Sequence, residues 1–399
     1  MKLEFPPEIN EFRLEVRTFI DDHLPDETRR WMRLGNAATK DQTVEWQRIL
    51  NTRGWATPAW PVEYGGAGLN PLQRMVLMDE IFRAPAPEPL PQNSLMVGPL
   101  LIRYGTEEQK ARFLPKMASL DYWFCQGFSE PGAGSDLASL TTRAVRDGDH
   151  YVVNGQKTWT SSAHYANWIF CLVRTEVRPR KQEGISFLLI ELSTPGIEIR
   201  PIISIDGAHK LNEVFFDNVR VPVSGLLGEE NKGWDLGKFL LGYERTSIAR
   251  VGRARERLSY ALELAAIVRE NDRPLLESDT FRERAAWLDA ELRALEITEL
   301  RVIAADMKST SGRADPFSSI LKIKGAEMLQ ATNELVFDVA GPAALAARSG
   351  SDYPANWAND TEEWAAGALP AYLSSRAGTI YGGSNEIQKN ILSKLVLGL

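Results

Sequence analysis

Cysteine is nearly absent from this chain. Cys125 and Cys171 are the only two in 399 residues, which excludes a disulfide framework and any paired-cysteine zinc site and makes a reducing compartment the natural setting. The four histidines, His23, His150, His164 and His209, never stand at H-x-x-x-H spacing, so no metal centre built from them is expected. Positive charge is in short supply. Lys and Arg number 46 against 53 Asp and Glu, a net charge of −7 without a basic block, which removes the electrostatic footprint of a nucleic-acid binder while leaving room for a local basic pocket. Long apolar runs are missing as well: Trp168 to Val173 and Ile185 to Ile190 fall far short of the ~18 residues of a membrane span, so no membrane crossing is expected. The opening Met1-Lys2-Leu3-Glu4-Phe5-Pro6-Pro7 has neither the apolar stretch of a signal peptide nor the Arg-rich texture of a transit peptide, and a cytoplasmic location follows as the expectation.

At roughly 150 residues per domain, the length points to two or three domains with ample core. From Ile9 the apolar residues Ile9, Phe12, Val16, Phe19, Ile20 and Leu24 recur at helical spacing, and helical texture broken by Pro and Gly continues to about residue 118. Beyond Asp121 the period becomes two. Tyr151-Val152-Val153 and Lys157-Thr158-Trp159-Thr160 flank Asn154-Gly155, a strong hairpin signal, and Ile185 to Leu192, Ile197 to Ile203 and Val214 to Val223 are further β-branched runs. Residues 119 to 225 therefore predict a β domain, a small barrel or sandwich. From residue 226 helices return: Phe281, Leu288, Leu292 and Leu295 stand 7, 4 and 3 apart, and a later stripe of Leu329, Val336 and Val339 ends at Gly341-Pro342. The expected architecture is α+β in three parts: a helical domain (1–118), a β domain (119–225) and a C-terminal helical bundle (226–399).

Three segments combine residues that could carry chemistry. Ser129-Glu130-Pro131-Gly132-Ala133-Gly134-Ser135-Asp136 brings small hydroxyls to backbone that a ligand can approach closely, though by itself it reads first as a surface turn. It is not a dinucleotide-binding G-x-G-x-x-G, because no strand-turn-helix register surrounds it. Asn154-Gly155-Gln156-Lys157-Thr158-Trp159-Thr160-Ser161 places an indole beside hydroxyls, suited to a planar heterocycle or to a strand core. Tyr381-Gly382-Gly383-Ser384-Asn385-Glu386-Ile387-Gln388 sets two glycines ahead of a helix capped by Ser384 or Asn385, where anions and electron-rich groups are attracted.

In this order, the three segments resemble the acyl-CoA dehydrogenase family, together with Trp60-Pro61, Glu63-Tyr64-Gly65-Gly66, Tyr104-Gly105-Thr106-Glu107-Glu108-Gln109-Lys110 and Leu114-Pro115. The resemblance covers the whole chain. It implies FAD between the β domain and the C-terminal bundle, with an acyl-CoA thioester against the flavin's other side. It puts Gln126, Phe128 and Ser129 along the flavin ring, Ser135 near the pyrophosphate or CoA, Trp159 against the isoalloxazine, Ser161 near N5, and Ser384 and Glu386 at a helix start facing FAD. Family members carry the catalytic glutamate at one of two places. One follows the Tyr of the C-terminal motif and is Gly382 here; the other lies in an L-x-x-E-R context, matched by Leu241-Gly242-Tyr243-Glu244-Arg245, so the resemblance makes Glu244 the base.

Two departures stand out. After Arg269, which in the family meets a neighbouring subunit's FAD, the usual Phe-Gly is replaced by Glu270-Asn271-Asp272-Arg273-Pro274, and a usual Gln-Ile-x-Gly-Gly by Phe337-Asp338-Val339-Ala340-Gly341. They are similar to the large subunits of pimeloyl-CoA dehydrogenase and related bacterial members of the family. The expected activity is α,β-desaturation of an acyl-CoA, with electrons passed to an electron-transferring flavoprotein or similar acceptor by a homodimer or homotetramer. Two alternatives stay open: a flavin-binding structural subunit of a heteromer with a second dehydrogenase chain, and a flavin oxidase or monooxygenase on the same scaffold.

Overall fold

A computed structural model describes residues 5–243, 249–308, 316–345 and 363–399. The N-terminal helices are α1 (Pro7–His23), α2 (Asp26–Arg33), α3 (Lys40–Asn51), α4 (Pro71–Arg83), α5 (Gly98–Tyr104) and α6 (Glu107–Ala118). The stripe expected on α1 is buried at Ile9, Val16, Phe19 and Ile20, and the last three pack with Trp46, Leu50, Leu77 and Ile81. Local chemistry starts these helices. Thr39, Asn70 and Thr106 each close a capping box with the glutamine three residues on, which satisfies donors that the first turn leaves unpaired.

The middle strands are β1 (Phe124–Gly127), β2 (Arg143–Asp147), β3 (His150–Lys157), β4 (Trp168–Arg174), β5 (Ile185–Glu191), β6 (Ile197–Ile203) and β7 (His209–Pro222). They form one seven-stranded sheet in the order β1-β4-β2-β3-β7-β6, with β5 on β4. Asn154-Gly155 is not the hairpin turn that the dipeptide predicts. Strand β3 runs through it and is bulged against β7 between Val153 and Gly155, while the chain reverses earlier, at Gly148 with φ +62°. Close approach of backbone explains the glycine: a Cβ at Gly155 would stand 2.7 Å from the Thr142 Cα. Strand β7 also begins five residues before the run from Val214, because His209 to Glu213 are held by antiparallel pairing to β6 rather than by their own β propensity.

The C-terminal part comprises α7 (Gly233–Tyr243), α8 (Val251–Ile267), the short ribbon β8 (Arg269–Glu270) and β9 (Arg273–Pro274), α9 (Asp279–Lys308), α10 (Ser318–Ala340), α11 (Glu363–Ala366), α12 (Ala368–Ser375) and α13 (Asn385–Leu392). Leu258, Leu264, Leu288, Leu292, Leu295, Leu335 and Val336 share its core. Helix α10 presses Gly325 onto the chain just before α8, where a Cβ would meet the Ala249 carbonyl oxygen at 2.4 Å. The α, β, α architecture expected from periodicity is the one observed. Among the described residues no helix is long and apolar enough to cross a membrane, and no group of three or more His, Cys, Asp or Glu is placed to hold a metal.

Candidate functional site

Two segments that the sequence singled out meet where the chain leaves β1 and β3. Gln126 lies half-buried on β1, and Phe128, which follows it, turns its ring into the core against Phe170 and Phe187 at 5.8 and 6.1 Å between centroids. Only the backbone of Phe128 is then turned elsewhere. Its carbonyl accepts from Nζ of Lys157 at 3.1 Å, and the next carbonyl, of Ser129, accepts from the Thr158 N–H at 2.9 Å. The segment around Ser129 is thereby stitched to the one that carries Trp159.

Lys157 is wholly buried, and its ammonium also donates to Oε1 of Glu130 at 2.8 Å. The Glu130 carboxylate accepts in addition from the backbone of Thr142 at 2.8 Å and from the backbone and hydroxyl of Thr141 at 2.6 and 2.8 Å. Burial pushes the Glu130 pKa up, but Lys157 and these donors outweigh it and hold the group at about 2. The pair clamps β1, β2 and β3 at the point where the Ser129 loop leaves the sheet.

Past the clamp the backbone is strained. Trp159 and Ser162 adopt left-handed conformations with φ +59° and +57°, each costing about 1–3 kcal/mol in a non-glycine residue. The turn is held by Asn212, whose carbonyl accepts from Thr160 N–H, and by the Lys210 carbonyl, which accepts from Ser162 N–H, both at 2.9 Å. This strain directs the indole outward: Trp159 is 60% exposed, with Ser161 half-buried beside it. The Thr160 hydroxyl is buried with no hydrogen-bond partner among the described residues.

Ser384 caps α13, its hydroxyl accepting from the Ile387 N–H at 3.4 Å, and Glu386 is exposed in the first turn. The Glu386 carboxyl is held below its ordinary range by backbone and Ser384 hydrogen bonds, with Lys389 and Lys322 adding. Asn385 ties this helix to α10 by accepting from Nζ of the buried Lys322 at 3.2 Å. Ser135 is exposed, next to Asp136, which pairs with Lys181 at 2.9 Å. Arg269 stands apart on the β8–β9 ribbon, exposed and donating to the Asp272 carbonyl across a turn in which Asn271 and Asp272 both have positive φ.

A cleft opens between the α4–α5 connection and the bundle, lined by Glu88, Arg250, Lys322, Ala326, Gly378 and Tyr381 among others. Glu88 and Arg250 pair across it at 3.3 Å, with Arg250 left-handed at φ +46° as α8 begins. Glu244 lies outside the described residues, which end at Tyr243 and resume at Ala249. Ala249 and Arg250, the first described residues after that gap, line the cleft together with Tyr381. Neither the Glu130–Lys157 clamp, nor Asn212, nor the Glu88–Arg250 pair carries a local signal that names its role. Each is made by residues distant in sequence.

Family models cover nearly the whole chain: acyl-CoA dehydrogenase N-terminal domain over residues 6–121, middle domain over 125–219 and C-terminal domain over 231–397. The chain is 37% identical over 401 residues to acyl-CoA dehydrogenase IpdE1 of Mycobacterium tuberculosis, with 98% of each chain covered. Among solved structures it is similar to one described as the Tcur3481–Tcur3483 steroid ACAD, with TM-score 0.85 and 32% identity over 100% of this chain and 99% of that one. It is likewise similar to the ChsE4–ChsE5 complex of Mycobacterium tuberculosis, with TM-score 0.84, 32% identity and the same coverage.

Proposed function

The chain belongs to the acyl-CoA dehydrogenase family and is an oxidoreductase acting on acyl-CoA, and from that premise we propose that it desaturates an acyl-CoA thioester at Cα–Cβ, with FAD bound at the turn of Trp159 and Glu244 as the base. The residues present fit a flavin: an outward indole on a strained turn, a buried Thr160 hydroxyl that lacks a partner, and stitched loops that hold both in place. When bound, FAD supplies the acceptor, at N5, for the hydride that leaves the β-carbon. Gln126, the backbone of Phe128, Ser129, Trp159 and Ser161 orient the ring. Ser135 serves the pyrophosphate or CoA end, and Ser384 and Glu386 present the N-terminus of α13, whose dipole favours electron density. Arg269 is assigned to the FAD of a neighbouring subunit.

Glu244 takes the proton from Cα onto its carboxylate. What supports this assignment is that Gly382, at the other family position, has no side chain to accept a proton, and that Tyr381 lines one cleft with Ala249 and Arg250. Glu244→Gln preserves shape and removes the basic group, so flavin content is expected to survive while anaerobic bleaching by the best acyl-CoA slows by roughly 10² to 10⁴-fold. Stopped-flow absorbance of the flavin band measures it. Bleaching at the wild-type rate would move the base to another residue or another chain. A second reading has support of its own, since both similar solved structures are described as pairs of proteins: this chain would then work in a heteromer with a second dehydrogenase subunit. A stoichiometric second chain on purification, with no turnover by this chain alone, would favour it. Electrons pass on to an electron-transferring flavoprotein or similar acceptor.

A further inference from the structure

Asn212 is fully buried on β7, and its side chain is saturated with partners. Nδ2 donates to the Thr160 carbonyl at 3.0 Å and lies 3.1 Å from Nδ1 of His164, while Oδ1 lies 2.7 Å from Nε2 of His209. A carbonyl only accepts, so the amide nitrogen must face Thr160, and this fixes the orientation of the whole group. The tautomers follow. His164 accepts through an unprotonated Nδ1, and His209 donates from Nε2–H.

The two imidazoles stack, with centroids 3.9 Å apart and planes 24° apart. Around them stand Tyr165, whose ring centroid is 4.0 Å from that of His164, Lys40 of α3, which faces the Tyr165 ring at 5.9 Å, and Lys210, which is paired with Asp206 at 2.6 Å and donates to Ser374 at 3.2 Å. We propose that Asn212, with His164 held neutral, is a positioning residue that sets the Trp159–Ser161 turn against the bound flavin, and that a proton on His164 releases it.

The inference rests on the assignment of this turn to FAD. Protonation at Nδ1 of His164 would oppose one N–H to another. Asn212 has no way to flip in response, because the Thr160 carbonyl and the His209 donor fix its two ends. The stacked His209 ring further disfavours a proton on His164, the two ring centroids being 3.9 Å apart. Burial pushes the His164 pKa down, with His209 and Lys40 acting the same way, so the brace persists at neutral pH and fails on acidification.

The test follows visible absorption and circular dichroism of the flavin in the FAD-loaded protein from pH 8 to pH 5, with far-ultraviolet circular dichroism as the control for folding. Wild type is expected to show a reversible change in the flavin bands below the ordinary histidine value of about 6.5, without loss of helix. His164→Gln, whose carbonyl can accept from Asn212 but does not titrate, should keep the high-pH bands throughout. Asn212→Leu should show the low-pH bands already at pH 8, with kcat on the order of 10- to 100-fold lower and KM little changed. A pH step that survives in His164→Gln, or wild-type flavin bands in Asn212→Leu, would overturn the inference and leave the dehydrogenase assignment standing. If Asn212→Leu does not fold, the His164→Gln comparison decides. A protein that never holds FAD would remove both assignments together.

Discussion

Lys157 and Glu130 test how much a buried ion pair can do for a site without touching the reacting atoms. The lysine is wholly buried and the glutamate nearly so, and the ammonium holds both the carboxylate and the Phe128 carbonyl. Lys157→Met leaves a buried carboxylate with only its hydrogen bonds from Thr141 and Thr142, and should cost about 3–5 kcal/mol in denaturant unfolding. Adding Glu130→Gln should recover part of the loss, which distinguishes an uncompensated charge from lost packing. The pair's dependence on pH has a definite sign. Glu130 titrates lower in the folded state than its ordinary 4.5, so its contribution is present above that value and is lost as pH falls towards about 2. Both residues stood inside motifs that marked a family resemblance, yet nothing local said that they meet, because they stand 27 positions apart in sequence and are brought together only through the sheet.

Among the elements, what the sequence made legible was whatever is encoded locally. The stripe of α1 is written in consecutive residues and appears where expected, and the capping box that starts α6 at Thr106 is equally local. Asn154-Gly155 shows the limit: the dipeptide marks a place where backbone needs glycine, but a turn and a bulge ask for the same residue, and only pairing with β7 decides between them. Gly155 has φ +148°, and a Cβ there would also stand 2.7 Å from the Thr142 hydroxyl. Gly155→Ala should therefore cost about 1–3 kcal/mol. Since Thr142 N–H donates to Glu130, the displacement should also reach the flavin turn, so that FAD is released at lower temperature than in wild type. Flavin fluorescence recorded through a thermal ramp would show it. An unchanged release temperature would mean that the bulge and the turn move independently. The early start of β7, and with it the placement of His209 and Asn212, had no local signal because those residues gain their strand from β6.

Across the whole molecule, the order of domains follows from periodicity, whereas the way the domains bear on one another does not. One such junction joins α4 of the first domain to α8 and α9 of the bundle, and it is lined with carboxyls. Asp79 on α4 is 3.6 Å from Arg13 of α1, and a Cβ at Gly252 of α8 would stand 3.0 Å from its oxygen. Burial raises the Asp79 pKa to about 7, against the pull of Arg13 and with Glu296 and Glu80 adding to the rise. Burial likewise raises Glu299 of α9 to about 8, with Asp79 and Glu296 adding. Both groups keep a proton in the folded state at pH values where the unfolded chain has released it, so folding takes up protons between about pH 4 and pH 8. Stability from this junction is then greatest at the acid end of that window, declines as pH rises through it, and levels off above pH 8. Differential scanning calorimetry from pH 5 to pH 9 should show Tm falling on the alkaline side, and the double variant Asp79→Asn with Glu299→Gln should flatten that fall, because neutral amides cannot lose the proton. A decline of equal steepness in the variant would place the titration elsewhere in the molecule. A Tm that rises over the same interval would mean that the two carboxyls are ionised in the folded state and that their charge is balanced by the surrounding arginines.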